Sequence, residues 1–482
     1  MMMDSKKGVI IFLVLIVVMA GGYLFLNRSL HAGTIIMTRI SSAEDLTILD
    51  QQHLKEIDFL STIVSFNPHK PNQSPKILTK DFAIAHSPEI SEDSKQMVFT
   101  GKLDPDSNRQ IWLMNLNSKR YHALTDDSMN CFDPFFLPND RIAFSCDWQH
   151  EKYGSGSFLF SLGPENEQLN RITYHPHADH SGSMMHDGRI LWVSKQIYPD
   201  KERPALMSLR PDGSNANLFY QFPAEYTVIS KARESESQQI YFTARNDQSD
   251  SGTSLFQFSY VNPVTSTQKI FSSEEGNIYS IYPQLNGPLL ISYQESSSNT
   301  AGLFELNENE DSLNTLLKAD QFHYLEPVVV KGQPFVPKLL PTALSDQMET
   351  GIIVFTEPGQ NRDREIEKNR NTILVEDLNG LHKEFLTAED GSFYIKTTAK
   401  VPIRFSQLNE SGEIINGPFP WIWVMNGDRR GFTGWDPMQM IAPANLVPQA
   451  INEPPVQIIA PGPTDLPFIV DFNPALEVRD EN

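Results

Sequence analysis

The chain has 482 residues, of which 60 are acidic and 39 basic, for a formal net charge of −21. That excess argues against nucleic acid as a partner, because a surface that binds a phosphate backbone needs clustered Lys and Arg to release counterions. With 40% hydrophobic and 21% charged residues, the composition is that of a globular protein, and the length allows two or more domains.

Lys6 and Lys7 precede Gly8 to Leu26, an uncharged stretch closed by Asn27-Arg28. At 1.5 Å per residue such a stretch reaches about 28 Å, enough to cross a hydrocarbon core of roughly 30 Å. We expect residues 1–32 to form a transmembrane helix retained as a signal anchor, longer than the apolar region of a cleaved signal peptide. The lysine pair stays cytoplasmic and the rest is exported. The expected location is therefore a bacterial inner membrane, spanned once, with the main body in the periplasm. Beyond it, Ser42-Ala43-Glu44-Asp45 has the form of a capping box and opens a short helix that would run to Ile57.

From about residue 85 the sequence repeats at intervals of roughly 45 to 50 residues, the signature of a repeat architecture. A short apolar strand recurs at 96–99, 141–144, 189–192, 239–242 and 289–292. A second follows each, at 111–116, 157–162, 205–209, 254–259 and 302–306. Turn residues such as Asn139-Asp140 and Asp187-Gly188 separate them. Units with room for four strands cannot bury both faces alone, so they stack around an axis as a β-propeller. Residues 34–78 and 326–341 would add one or two more units, giving six or seven blades within 33–341.

Cys131 and Cys146 flank a hairpin that turns near Asn139 and fall nearly opposite each other, where a disulfide can form in an oxidising compartment. The densest polar signal is Tyr174-His175-Pro176-His177-Ala178-Asp179-His180, with His186 six residues on. It lies between the outer strand of one unit and the inner strand of the next, near the central channel. His175, His177, Asp179, His180 and His186 are candidate ligands for zinc or copper, since both accept imidazole nitrogen. A polar loop with local hydrogen bonds is the alternative.

After Pro341 the rhythm stops. Glu357 to Arg370 reads as a charged surface loop, and residues 342–442 as a small β-rich domain with turns at Gly380, Gly391 and Gly412. Residues 443–482 form a Pro-rich tail that would lie along a neighbouring surface. The whole is an all-β chain behind one N-terminal helix.

Residues 134–144, Pro-Phe-Phe-Leu-Pro-Asn-Asp-Arg-Ile-Ala-Phe, closely match the turn motif of exported TolB-like propellers, and the repeats resemble that family. A narrower resemblance covers about residues 35 to 455. Asp390-Gly391-Ser392-Phe393, Val401-Pro402-Ile403-Arg404-Phe405, Trp421-Ile422-Trp423-Val424 and Arg430-Gly431-Phe432-Thr433-Gly434-Trp435-Asp436 follow the order seen in hydrazine synthase alpha subunit-like proteins. That resemblance implies an exported propeller followed by a c-type haem segment. At the haem motif the chain departs from the pattern: Phe432 and Trp435 stand where thioether cysteines would be, and Asp436 where the iron-ligating histidine would be. No covalent haem is expected, and Phe432 and Trp435 would fill the space it vacates.

No nucleophile elbow, phosphate loop or His-Glu-x-x-His motif is present, and no catalytic residue is assigned. Trp112, Trp148, Trp192, Trp421, Trp423 and Trp435 read as strand and core anchors. The first expectation is a noncatalytic scaffold or accessory subunit holding periplasmic or inner-membrane protein partners. The others are a metal-binding redox accessory or enzyme with a site at His175 to His186, and a module that binds carbohydrate or another envelope ligand.

Overall fold

Two kinds of strand build this protein, and their burial patterns tell them apart. Strands such as Ile84–Ile90 and Gln239–Asn246 carry runs of consecutive buried residues, as in a sheet covered on both faces, whereas Thr350–Thr356 and Thr372–Asp377 alternate strictly. The computed structural model describes residues 30–44, 46, 59–150, 154–163, 169–197, 202–223, 225–228, 230–246, 252–272, 276–284, 287–307, 312–331, 338, 340, 344–345, 347–357, 370–378, 380–435 and 447–458. No helix among them is long and apolar enough to cross a membrane; the expected anchor, and all but the first residues of the expected helix at Ser42 to Ile57, lie outside them.

The first kind of strand forms antiparallel meanders. Meander 2 runs Ile84–Ile90, Gln96–Lys102, Gln110–Asn115 and Tyr121–Ala123. Meander 3 runs Cys131–Phe136, Ile142–His150, Gly154–Leu162 and Asn170–Arg171; meander 4 runs Ala178–Met184, Ile190–Ile197, Glu202–Leu209 and Asn217–Gln221. Meander 5 splits its first strand into Tyr226–Val228 and Arg233–Glu234, followed by Gln239–Asn246, Ser254–Ser259 and Gln268–Ser272. Meander 6 runs Gly276–Pro283, Leu289–Glu295, Gly302–Asn307 and Ser312–Leu317. Meander 1 is discontinuous: Phe322–Val329 pairs with Ile35–Ser41, which pairs with Ser61–Phe66 and then Lys76–Ile77. The two flanking stretches therefore make one unit together, because the late strand supplies the edge that the early strands lack.

First strands of successive meanders touch in a closed cycle, each meeting the next and the sixth meeting the first. They are joined by side chains as well as by packing. Ser87, Asp133, Ser181 and Glu326 occupy equivalent places on four of them, all at φ between 52° and 55°, each at a break in strand register. The left-handed backbone costs about 1 kcal/mol or more per residue. In return it turns each N–H and side chain sideways toward a neighbouring meander. Glu326 N–H donates to Ser280 Oγ at 2.8 Å, Ser87 N–H to Glu326 Oε2 at 2.7 Å, and Ser181 N–H to Asp133 Oδ2 at 3.2 Å. Ser87 Oγ lies 2.9 Å from Glu326 Oε1 and 3.3 Å from Asp133 Oδ1. Ser183 Oγ donates to Ala232 O at 2.8 Å, and the Arg233 guanidinium lies 5.2 Å over the Tyr282 ring. These contacts link all the meanders into a belt. Across meander 3, Cys131 and Cys146 sit opposite in register and are joined by a disulfide, as the turn position implied.

Alternating strands build the C-terminal region. One sheet holds Arg429–Thr433, Thr350–Thr356, Phe393–Thr398 and Val456–Ile458; the other holds His382–Leu386, Thr372–Asp377, Ile403–Leu408 and Ile414–Asn416. Their inner faces share one apolar core around Phe355, Phe393, Ile395, Phe405 and Val424, the arrangement of a sandwich. The Pro-rich tail contributes Val456–Ile458 as an edge strand, and Gln449 N–H donates to Asp390 Oδ2 at 2.8 Å.

Glu326 is the acceptor on which the belt turns. Replacing it by Ala strands the Thr38 hydroxyl and the Ser87 N–H inside the channel and is expected to cost about 4 kcal/mol, while Glu326→Gln keeps an acceptor and costs about 1 kcal/mol. Urea midpoints of the two variants check this; equal, small losses would mean that the belt contributes little to closure.

Candidate functional site

Where the first strands end, the channel widens into a cavity of about 510 Å³ to which every meander contributes. Its floor is an ion pair across the ring. Glu89, at the end of the first strand of meander 2, meets Lys231 Nζ at 3.0 Å and Arg233 Nη2 at 2.5 Å, both from meander 5. Burial alone would raise the Glu89 carboxyl, but the two cations outweigh it and hold the group at about 2. Burial likewise pushes the Tyr282 hydroxyl, under Arg233, up to about 12.

The walls are more acidic than basic. Glu234 accepts the His186 N–H at 2.7 Å, and its side chain is 2% exposed; His186 Nδ1 is 3.8 Å from its other oxygen. Burial raises the carboxyls of Glu234 and Glu92 and lowers the imidazole of His186. Lys331 enters from meander 1, where burial lowers its ammonium. Phe135, Phe136 and Tyr282 supply the aromatic part of the lining. Little of this was legible beforehand: Glu89 and Arg233 are separated by 144 positions, and only the turn that follows each first strand marks the level of the mouth.

The sequence-predicted histidines divide between two places. His186 stands at the cavity. His175 and His177 do not lie at an open rim; they are buried beneath the C-terminal region, at 0% and 3% exposure. Trp423 reaches over from that region and lies 5.0 Å from the His175 ring, which is 4.8 Å from that of His177. Gly156 admits the His177 backbone, since a Cβ there would stand 2.6 Å from His177 O. Asp179 accepts the Trp192 indole N–H at 2.9 Å and lies 3.4 Å from His175 Nε2. His180 turns instead to Ser181 Oγ, at 2.9 Å, within the belt.

Burial, aided by the nearby Arg171 and Arg430 guanidiniums, brings His175 down to about 3, and burial also carries His177 well below its ordinary range. Burial pushes Asp179 up to about 7. Both rings are thus neutral, and neither nitrogen of either ring has a hydrogen-bond partner. Among the described residues no three His, Cys, Asp or Glu side chains form a group that could hold a metal ion. His180 and His186 take partners at the belt and at the mouth, whereas His175 lies beside His177 and Asp179.

The segment expected to be a degenerate haem-attachment site contains a strand. Arg429–Thr433 pairs in parallel with Thr350–Thr356; Phe432 packs 5.3 Å from Phe419, and Trp435 4.9 Å from Phe355. Those rings belong to the sandwich, so the residues present do not fit a covalently attached haem. Asp436 lies outside the described residues.

The fold is similar to that of hydrazine synthase from Kuenenia stuttgartiensis. The match has a TM-score of 0.74 at 15% identity over 88% of this chain and 72% of that one. TolB from Acinetobacter baumannii matches 62% of the chain at 14% identity with a TM-score of 0.41, and a putative TolB from Agrobacterium tumefaciens 61% at 11% with 0.41. No family model and no curated protein matches the sequence. At such identities the likeness is one of fold alone: an all-β chain with the propeller expected from its repeats.

The Glu89 pair gives the protein an acid-sensitive centre. Its folded value lies below the ordinary 4.5, so its stabilisation is complete above pH 4.5 and is lost as pH falls toward 2, by about 3 kcal/mol. Glu89→Gln is expected to cost about 3 kcal/mol at pH 7 and to flatten the stability profile between pH 4.5 and 2. An unchanged profile would remove the cross-channel pair from the account.

Proposed function

We propose that this protein is a membrane-tethered, six-bladed propeller that serves as a scaffold or accessory subunit, gripping a protein partner at the channel mouth. The observation that carries the reading is the 510 Å³ cavity to which every blade contributes. It is of a size that takes a small ligand or an inserted side chain, and among the described residues of its lining no nucleophile, base and orienting group are arranged as catalysis would need.

The sequence supports a tether at the same face. Gly33 lines the cavity, and its N–H donates to Val330 O at 2.9 Å. Only six residues separate it from the end of the apolar stretch at Leu26, a reach of about 25 Å when extended. If that stretch spans the inner membrane, the mouth opens toward the bilayer, and its partner is an inner-membrane protein or one held close to it.

A photo-crosslinking residue placed at Gln284, on the cavity lining, is expected to trap one discrete partner in intact cells, whereas one at Ser118, on the turn after the third strand of meander 2, is expected to trap none. Equal labelling from both positions, or none from Gln284, would refute the scaffold reading. Carbonate extraction of membranes checks the tether: the protein is expected to stay in the pellet, and release into the wash would remove the anchor.

A further inference from the structure

The charges around the cavity are not balanced. Glu89, Glu92, Glu234 and Glu236 line it against Arg233 and Lys331. Glu89 is consumed by Arg233 and Lys231, and burial lowers the His186 imidazole. Among the described residues of the lining, three carboxylates thus stand against Lys331, the cation outside the Glu89 cluster. Lys331 interacts with Glu89, Glu92 and Glu236, and one ammonium cannot offset all of them. Glu234 is nearly sealed from solvent and leans on a neutral backbone N–H. The guanidinium that acts on it, Arg189, is already bound to Asp187 at 2.8 Å, so Glu234 has no cation of its own to make its burial favourable.

The aromatic lining points the same way. Arg233 already lies over Tyr282, and Lys231 is 5.9 Å from the centroid of Phe135, so the chain's own cations use ring faces at this level of the channel. Phe136 also borders the empty volume. An anion entering would meet the surplus carboxylates; an apolar group would leave them unpaired.

We propose that the channel-mouth cavity binds an organic cation, an alkylammonium or guanidinium group, through Glu234 and Glu236 with Glu92 on the opposite wall. The group arrives either on a free small amine or on a basic side chain that a partner inserts into the mouth. This rests on the channel mouth being the working face of the protein, but it needs no partner for its test, so the two readings fail separately.

The test is calorimetric titration of the full chain in detergent micelles with three probes: 1,4-diaminobutane, the capped peptide Gly-Lys-Gly, and succinate. One diamine or one peptide is expected per chain, and succinate is expected not to bind. A diamine that binds more tightly than the peptide assigns the site to a free amine, and the reverse assigns it to an inserted side chain. Glu234→Gln with Glu236→Gln is expected to weaken binding by about ten-fold or more, as loss of a charge-assisted contact does, without moving the thermal midpoint. Should that double variant not fold, Glu92→Gln alone is expected to weaken binding in the same direction. The proposal is overturned if succinate binds more tightly than either cation, if neither cation binds at concentrations on the order of 10 mM, or if a folded variant binds them as tightly as the parent.

Discussion

A ring of separate sheets has a problem that a single sheet does not: no ladder of backbone hydrogen bonds crosses from one unit to the next around most of its circumference. Here the innermost strands meet that need with residues forced into left-handed backbone. Ser87, Asp133, Ser181 and Glu326 break the register of their own strands, giving up ladder bonds at home to make bonds to the neighbour. The strain is local and modest, whereas an unpaired donor inside the channel would cost about as much at every step. Ser87 shows how tightly this is drawn. Its single hydroxyl proton lies between two carboxylate oxygens, with His86 Nδ1 2.9 Å away on the same atom. Burial raises the Glu326 carboxyl, and the nearby Asp133 charge raises it further.

That belt explains why so much of the ring could be read from the sequence and why part of it could not. Period, hairpins and disulfide are local or nearly so: each depends on a turn such as Asn139-Asp140 fixing the register of strands a few residues apart, and Cys131 and Cys146 follow from the same count. Closure is a different matter. Phe322–Val329 joins strands that begin at Ile35, and nothing in the alternation of either segment names the other. The flanking stretches were therefore open to reading as one unit or two. Only the shared need for a hydrogen-bonded edge decides it.

The histidine cluster was legible as polar density and illegible as environment. Five of its polar residues were placed near the channel by the repeat alone, which is correct for His180 and His186. His175 is instead covered by Trp423, a residue nearly 250 positions away on a segment whose own pattern suggested only a strand anchor, and His177 is buried beside it. The same segment brings Arg430, which donates to Trp423 O at 2.7 Å and to Ala216 O of meander 4. The C-terminal sheets are thus bound to the ring through an aromatic ring and a guanidinium that both end in blade backbone, not through a flexible linker.

The surroundings of those histidines also decide what they can do. A divalent ion at His175 and His177 would gain two imidazole nitrogens but would sit near Arg171 and Arg430, each held by two backbone carbonyls that would be left unpaired if it moved aside. Asp179 offers the nearest compensating charge, yet it already holds the Trp192 indole, and burial keeps its carboxyl near neutrality at about 7. Two cations and a half-ionised acid make a poor seat for a third cation. The channel mouth is the reverse case, with more acids than bases along its described lining, ring faces at hand and open volume beside them.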